Sequence, residues 1–327
     1  QEAVQSARKM GLAVSLYPGS EVVDLRQNGG NICLSVKHLS SKSYVSSDAD
    51  RLLLATGHWF EKNDRNHYFV SPWPAKKLLH KIPKGEKIGI IGTSLSAIET
   101  LLTLTSEGKF IRSRTGELAY APPINSRTFC LLSRRGLLPK VRGKIGNHRN
   151  KFLNRENLDR LLSGNHKNLA LKAVFKLLHA ELEDAYGQNI DWEEIINPSA
   201  EPAVLLQRSL NDAIHGDGPD GELIWQTILV QSCDIGRDIY LNLAIEERKR
   251  FDKNYTSIFF THAATQPAFN AEKLLALMKA GIVEVLKLGK NYQLVKNEVN
   301  DYYEFVYRDN RGNLKRDVYR YVVNARG

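Results

Sequence analysis

The sequence predicts an α/β chain with an all-helical block set into its second half. Three observations carry this. A short apolar strand at Glu86–Ile91 runs through a small-residue turn, Gly92-Thr-Ser-Leu-Ser-Ala97, into an apolar helix ending near Thr105. The run Asp50-Arg-Leu-Leu-Leu-Ala-Thr-Gly57 is apolar without alternation, the pattern of a strand covered on both faces in a parallel sheet. From about residue 150 to 260, leucines such as Leu158, Leu161, Leu162, Leu171, Leu178 and Leu182 recur at helical spacing. The composition agrees. With 327 residues, 42% apolar and 25% charged, the chain is neither disordered nor fibrous, and its length suits about two domains.

The elements follow in order. Residues 2–10 read as a helix stopped by Gly11. Leu12–Leu16 and Ser20–Leu25 read as strands, and Gln27-Asn-Gly-Gly30 is a hairpin turn leading to Asn31–Val36. The tract from His58 to Lys84, with Pro72, Pro74 and Pro83, reads as a crossing between domains. Ser106–Pro123 is polar and turn-rich, an insertion before a second strand at Arg127–Ser133. Past the helical block, Ala271–Ala280 is a helix stopped by Gly281. Segments 282–286, 292–295, 302–307 and 318–323 read as strands, with Asn310-Arg-Gly312 as a hairpin turn.

Lys plus Arg number 46 against 36 Asp plus Glu, a net charge of +10 that suits anionic partners. Three scattered cysteines, Cys33, Cys130 and Cys233, show no metal-ligand spacing and read as buried thiols. No apolar run is long enough to span a bilayer, and no signal segment opens the chain, so a cytoplasmic protein without a membrane partner is expected.

The strand–turn–helix at 88–105 has the context of a dinucleotide-binding fingerprint, a Rossmann-like unit. Gly92 permits the tight turn, and the following helix offers free N–H groups to a pyrophosphate. The pattern G-x-G-x-x-G is imperfect. Ser94 stands at its second glycine and narrows the approach of phosphate. Ala97 stands at its third and still lets helix and strand pack closely. Thr93, Ser94 and Ser96 add hydroxyl donors. The second strand ends in Ser133-Arg134-Arg135, where such units carry an acid for the ribose 2′-OH. Arginines there suit a 2′-phosphate, hence NADPH over NADH, with Ser133 helping.

Leu53-Leu-Ala-Thr-Gly-His58, Ser71-Pro-Trp-Pro74, Ile90-Ile-Gly-Thr-Ser-Leu-Ser-Ala-Ile-Glu99 and Leu132-Ser-Arg-Arg-Gly-Leu-Leu-Pro139 together resemble the bacterial FAD-NAD(P)-binding proteins. These are relatives of two-dinucleotide flavoprotein monooxygenases and reductases. The resemblance continues at Glu246–Phe251, at 262–281 and at Tyr321–Gly327. It implies a FAD domain interrupted by a NAD(P) domain. Ala55-Thr-Gly57 would be the outgoing crossing, with Gly57 and His58 near the cofactors. Asn324-Ala-Arg-Gly327 would be the returning one, although Arg326 stands where the family has a small residue. The family's glycine-rich FAD turn is not found in residues 1–60 and would precede Gln1. A last FAD-domain segment would follow Gly327, so the resemblance implies the middle of a longer flavoprotein.

The implied domains are a partial FAD segment and crossover (1–84), a NAD(P)-binding core (85–150), a helical insertion (151–265), and the return of the NAD(P) domain with the start of the returning FAD segment (266–327). The implied function is FAD-dependent NAD(P)H oxidoreduction on a small-molecule substrate, monooxygenase- or reductase-like, with hydride passing from NADPH to flavin. The alternative is an inactive Rossmann-like binding module without flavin.

Other features are weighed against plainer roles. Between Arg134 and Lys151 stand seven Lys/Arg and no acid. The stretch holds no aromatic residue for base stacking before Phe152, so a basic loop near the cofactor's phosphates is favoured over a nucleic-acid surface. His262 could contact substrate or flavin, though a lone histidine is more often structural. Asp217, Asp220 and Glu222 lie in a glycine-rich loop whose spacing does not fit a calcium loop.

Overall fold

A computed structural model describes residues 2–56, 64–164 and 168–326. The chain divides into two compact units, Gln1–Trp59 and Phe60–Gly327. The first holds a helix, α1 (Glu2–Lys9), and an antiparallel meander of β1 (Ser20–Asn28), β2 (Asn31–His38) and β3 (Tyr44–Ala49). Asn28 pairs with Asn31 across a two-residue turn in which Gly29 takes φ +60°, so the expected hairpin is present.

Two expectations fail in this unit. Leu12–Leu16 forms no strand. Residues 50–56 form none either, and Leu53 and Leu54 are 89% and 66% exposed. A run apolar on both faces becomes a strand only where both faces find cover. Among its described residues this unit holds one helix and one antiparallel sheet, none of them fully buried, and no parallel strand lies beside residues 50–56. Gly57 and His58 lie outside the described residues.

The second unit opens with a short strand, β4 (Tyr68–Phe69), and a helix, α2 (Ala75–Lys81), in the tract expected to be a plain crossing. Leu78 and Ile82 bury into the core, which is why this tract is ordered as it is. Then come β5 (Lys87–Ile91), α3 (Leu95–Leu104), β6 (Lys109–Arg112), β7 (Leu118–Ala121) and β8 (Thr128–Ser133). The expected insertion is thus the hairpin β6–β7. Tyr120 anchors it, its hydroxyl donating to the Thr105 carbonyl at 2.9 Å.

The helical block comprises α4 (Arg155–Gly164), α5 (Leu171–Tyr186), α6 (Trp192–Ile196), α7 (Pro202–His215), α8 (Ile224–Gln231), α9 (Cys233–Asn242), α10 (Ile245–Asn254) and α11 (Thr256–Ala263). The chain ends through α12 (Ala268–Lys279), β9 (Val283–Lys287), β10 (Gln293–Asn297), β11 (Tyr302–Arg308), β12 (Leu314–Tyr319) and β13 (Tyr321–Asn324).

The centre of this unit is a five-stranded parallel sheet in the order β4-β13-β5-β8-β9. Its strands alternate with period two between two cores. Ile88, Ile90, Phe129, Leu131, Tyr321 and Val323 face one side, with helix residues such as Ile98, Leu101 and Leu274. Ile91, Cys130, Leu132 and Val322 face the other, against Tyr303, Phe305 and Tyr319 of the antiparallel sheet β10-β11-β12. Three layers result, and the short strands read as continuous apolar runs because both faces are covered.

The strand expected over 318–323 breaks at Arg320. Tyr319 ends β12 in one sheet and Tyr321 opens β13 in another, and their rings bury in opposite cores. Gly89 makes room for this layer, since a Cβ there would lie 3.0 Å from the Tyr319 ring. The cysteines also differ from expectation. Cys130 is buried, with its thiol pushed up to about 11 by desolvation, whereas Cys33 is half-buried and Cys233 exposed.

The helical block has its own core around Leu158, Leu169, Leu182, Ile228 and Ile235. Its two ends are sewn together. Lys140 N–H donates to the Thr261 carbonyl at 2.8 Å, Gln266 N–H to the Lys140 carbonyl at 2.9 Å, and Arg142 N–H to the Gln266 carbonyl at 2.8 Å. The buried Gln226 side chain donates to the Val141 carbonyl and accepts from Gly143 N–H. Inside the block, the fully buried Glu181 carboxylate accepts from the backbone N–H groups of Lys151, Phe152 and Leu153 and sits 2.7 Å from His148 Nε2.

Candidate functional site

The parallel sheet has a topological switch between β5 and β13. From β5 the chain passes through α3 to β8 on one side, whereas β13 arrives on the other side from the antiparallel layer. Ligands of open α/β sheets bind in the crevice that such a switch leaves beyond the carboxyl ends of the strands. Four chain segments meet at that end here: Gly92–Ser94 after β5, Ser133–Gly136 after β8, Leu288–Gly289 after β9 and Ala325–Arg326 after β13.

Gly92 makes the turn. Its φ is +126°, and a Cβ would stand 3.0 Å from the Ala325 carbonyl oxygen, so both conformation and space demand glycine. Gly92 N–H donates to the Leu132 carbonyl and Ala325 N–H to the Ile91 carbonyl, at 2.8 and 2.9 Å, which locks the turn between its neighbours. Ser94 is the N-cap of α3 with extended backbone, and its hydroxyl caps nothing. No acid occupies the first turn of α3, so the N–H groups of that turn and the positive end of the helix dipole stay available to an anion. Ser96 gives its carbonyl to the Thr100 hydroxyl at 2.7 Å, which steadies the first turn. Ala97 is fully buried, where it lets α3 sit close on the sheet.

The second strand reaches this turn through side chains. Thr93 Oγ1 donates to Ser133 Oγ at 3.2 Å, and Ser133 Oγ also accepts from Gly136 N–H at 3.0 Å. The two candidate halves, Gly92–Ala97 and Ser133–Arg135, are therefore adjacent and hydrogen-bonded.

The two arginines part company. Arg134 is exposed and makes no side-chain hydrogen bond or ion pair among the described residues. Arg135 turns back into the helical block. Its guanidinium donates to the carbonyls of Ile196 (3.2 Å) and Asn254 (2.9 Å) and to Asn197 Oδ1 (3.4 Å). Burial, and then the Arg134 charge, lower its pKa from the usual arginine value. It is a strut between α6 and α10, which leaves Arg134 as the free guanidinium at the end of β8.

The basic stretch is largely consumed in the same way. Arg142 donates to Thr265 Oγ1, Lys144 to the Asp220 carbonyl and Lys151 to Asp184. Asp217 accepts from Tyr186 Oη and Ile224 N–H, and Glu222 accepts from Asp220 N–H, so that loop is a structural turn. His262 does not lie at the sheet crevice. It lines a separate cavity in the helical block, with its ring centroid 4.5 Å from that of Trp225.

One candidate escaped the sequence reading. Arg326, noted there only as a departure, lies two residues past β13, and its backbone nitrogen lies 3.5 Å from where a Gly92 Cβ would be. Its side chain donates to Asn324 Oδ1 at 3.1 Å. The signal available in the sequence was position alone, a basic residue closing the last parallel strand.

No family model matches the chain. A curated Escherichia coli (strain K12) protein, the uncharacterized protein YdhS, is 25% identical over 338 residues, covering 94% of this chain and 62% of that one. This chain therefore spans less than two thirds of that relative's length. Among solved structures, ornithine hydroxylase PvdA from Pseudomonas aeruginosa overlays with a TM-score of 0.38 and 12% identity, over 94% of this chain and 54% of its own. The cadaverine monooxygenase DfoA from Erwinia amylovora, solved with FAD, gives 0.37 and 11%, over 94% and 52%. The lysine monooxygenase NbtG from Nocardia farcinica gives 0.33 and 12%, over 99% and 50%. Overlays this distant transfer no residue role to the present chain.

Proposed function

We propose that this chain carries the NADPH-binding part of a FAD-dependent oxidoreductase, monooxygenase- or reductase-like. The observation that carries the reading is the uncapped, acid-free start of α3, facing the switch crevice behind a glycine turn. The curated relative is itself uncharacterized, and what the solved neighbours are named for stays with them.

The residues present fit a dinucleotide's phosphates. The first-turn N–H groups of α3, with the hydroxyls of Ser94 and Ser96, would hold the pyrophosphate. Ser94 is exposed and its hydroxyl is not spent on the helix, so at the second-glycine position it offers a donor as well as bulk. Thr93 and Ser133, already bonded to each other, would fix the spacing between the pyrophosphate and ribose subsites. Arg134 would meet a 2′-phosphate. Arg135, committed to carbonyls, would hold the loop that presents Arg134. When bound, the cofactors supply the redox chemistry, hydride transfer from nicotinamide to flavin, and the protein supplies position and charge. Gly57 and His58, proposed near the cofactors, and the domain plan of 1–84, 85–150, 151–265 and 266–327 are part of this proposal.

Calorimetric titration with NADPH and NADH tests the reading. NADPH should bind more tightly, and Arg134→Ala should remove most of that preference. A folded chain that binds neither nucleotide would leave the second reading, a Rossmann-like module without cofactor. That reading draws its support from Ser94 in place of glycine and from the commitment of Arg135.

A further inference from the structure

We propose that Lys140 is a carbonyl-reactive amine, which forms an imine with a small, uncharged, apolar aldehyde or ketone taken up in a cavity of the helical block. The cavity lies where the segment after β8 passes α6, α7 and α8, and its volume is about 460 Å³, the size of a small-molecule site. None of the residues assigned to the pyrophosphate or the 2′-phosphate lines it, so the proposal does not rest on the dinucleotide reading.

A lysine amine becomes a nucleophile where it is desolvated in an apolar pocket or set beside another cation. Lys140 meets both conditions. Its backbone is pinned on both sides, its N–H donating to the Thr261 carbonyl at 2.8 Å and its carbonyl accepting from Gln266 N–H at 2.9 Å. The side chain therefore starts from a fixed point in the cavity wall. The residue is half-buried, yet its Nζ has no hydrogen bond or ion pair among the described residues. The charged groups that act on it, Asp212, Arg208, Asp217 and Glu194, all line the cavity, which places the amine there. Desolvation is the largest influence and lowers its pKa from the usual lysine value. The Asp212 carboxylate opposes that shift and the Arg208 guanidinium adds to it. More of the free amine is then present near neutral pH than on an exposed lysine.

The lining also selects the partner. Asp191, Glu194, Asp212 and Asp217 stand against Lys140 and Arg208, a negative balance that repels anions. An uncharged carbonyl compound is not repelled, and the protonated imine it leaves on Lys140 is a cation that those carboxylates stabilise. Leu138, Leu205, Leu206, Leu223 and the indole of Trp225 give its carbon skeleton an apolar wall. In the step, the Nζ lone pair forms a bond to the carbonyl carbon and the carbon–oxygen π pair moves to oxygen. The carbinolamine then loses that oxygen as water, together with the two amine protons, as the carbon–nitrogen double bond closes. No oxidant or reductant is consumed. Asp212 has no side-chain hydrogen bond among the described residues and a pKa raised by burial, so it is the lining group placed to relay those protons.

The test incubates the whole chain near neutral pH with benzaldehyde and sodium cyanoborohydride, which reduces an imine to a stable benzylamine, and maps the modified lysines by peptide mass spectrometry. Lys140 should be labelled at least about tenfold faster than the exposed lysines, since one unit of pKa is about tenfold in free amine. Urea should erase that lead. Lys140→Arg keeps the charge but has no free amine, and it should lose the fast phase while the far-ultraviolet circular dichroism and melting temperature stay those of the parent. Acetylacetone, whose imine rearranges without reductant to an ultraviolet-absorbing enaminone, should give a rapid absorbance rise with the parent and none over the same time with Lys140→Arg. Labelling of Lys140 no faster than of exposed lysines, a lead that survives urea, or a rapid rise retained in Lys140→Arg would each overturn the proposal.

Discussion

The missing side chain of Gly92 faces the backbone of Ala325, where a Cβ would lie 3.0 Å from the carbonyl oxygen. That contact joins the turn after β5 to the end of β13, the two strands flanking the switch crevice. Gly92 also has φ +126°. Gly92→Ala should therefore lose stability by about 2 kcal/mol, through strain and through pushing the two strand ends apart. Urea denaturation should show a lower midpoint with an unchanged slope. NADPH affinity should fall further than stability alone explains, because the α3 start moves with the turn. An Ala variant as stable as the parent would contradict the geometry.

Arg134 and Arg135 should separate cleanly on mutation. Arg134→Ala should weaken NADPH with stability changed by less than about 0.5 kcal/mol, as for an exposed side chain without partners. Arg135→Ala should cost stability by about 2 kcal/mol, because it removes a guanidinium from carbonyls of Ile196 and Asn254 that are left without it. Paired denaturation and calorimetry on the two variants would check this. Equal loss of stability in both would refute the assignment of Arg135 as a strut.

Glu181 should be the most sensitive acid of the helical block. Its carboxylate is fully buried and accepts three backbone N–H groups of residues 151–153. Glu181→Ala would strand those donors in a low-dielectric interior and should cost about 3 kcal/mol. Hydrogen exchange should quicken at 151–153 before it does in the parallel sheet. An unchanged exchange pattern there would be the adverse result.

His262 should make the chain acid-sensitive. Burial, and then the charge of Lys140, push its imidazole down to about 3. In the unfolded chain a histidine takes up its proton near about pH 6.5. Between those two values the unfolded state binds more protons, so stability is complete above about pH 6.5 and falls as the pH drops. The melting temperature should decline below that pH, and His262→Asn should flatten the decline between about pH 4 and pH 6.5. A variant with the parent's slope would assign the acid sensitivity elsewhere.

The strand β5, the Gly92 turn and α3 were legible in the residues because their determinants are local: an apolar run, a glycine with positive φ, and a helix that follows at once. The helical block was legible for the same reason, as a period of leucines. So was the α/β class of the second unit, where both faces of the sheet are covered and the strands read as apolar runs. Tertiary structure decided the rest. Leu52-Leu-Leu54 reads like β5 in sequence, yet it lies exposed because no strand among the described residues of its unit pairs with it. The strand expected over 318–323 became two strands, since Tyr319 and Tyr321 are claimed by opposite cores. Arg134 and Arg135 are chemically identical neighbours, and only the carbonyls at the ends of α6 and α10 make one a strut and leave the other free. Residue type and period fix what a segment can form, while cover, partners and exposure depend on distant parts of the chain arriving beside it.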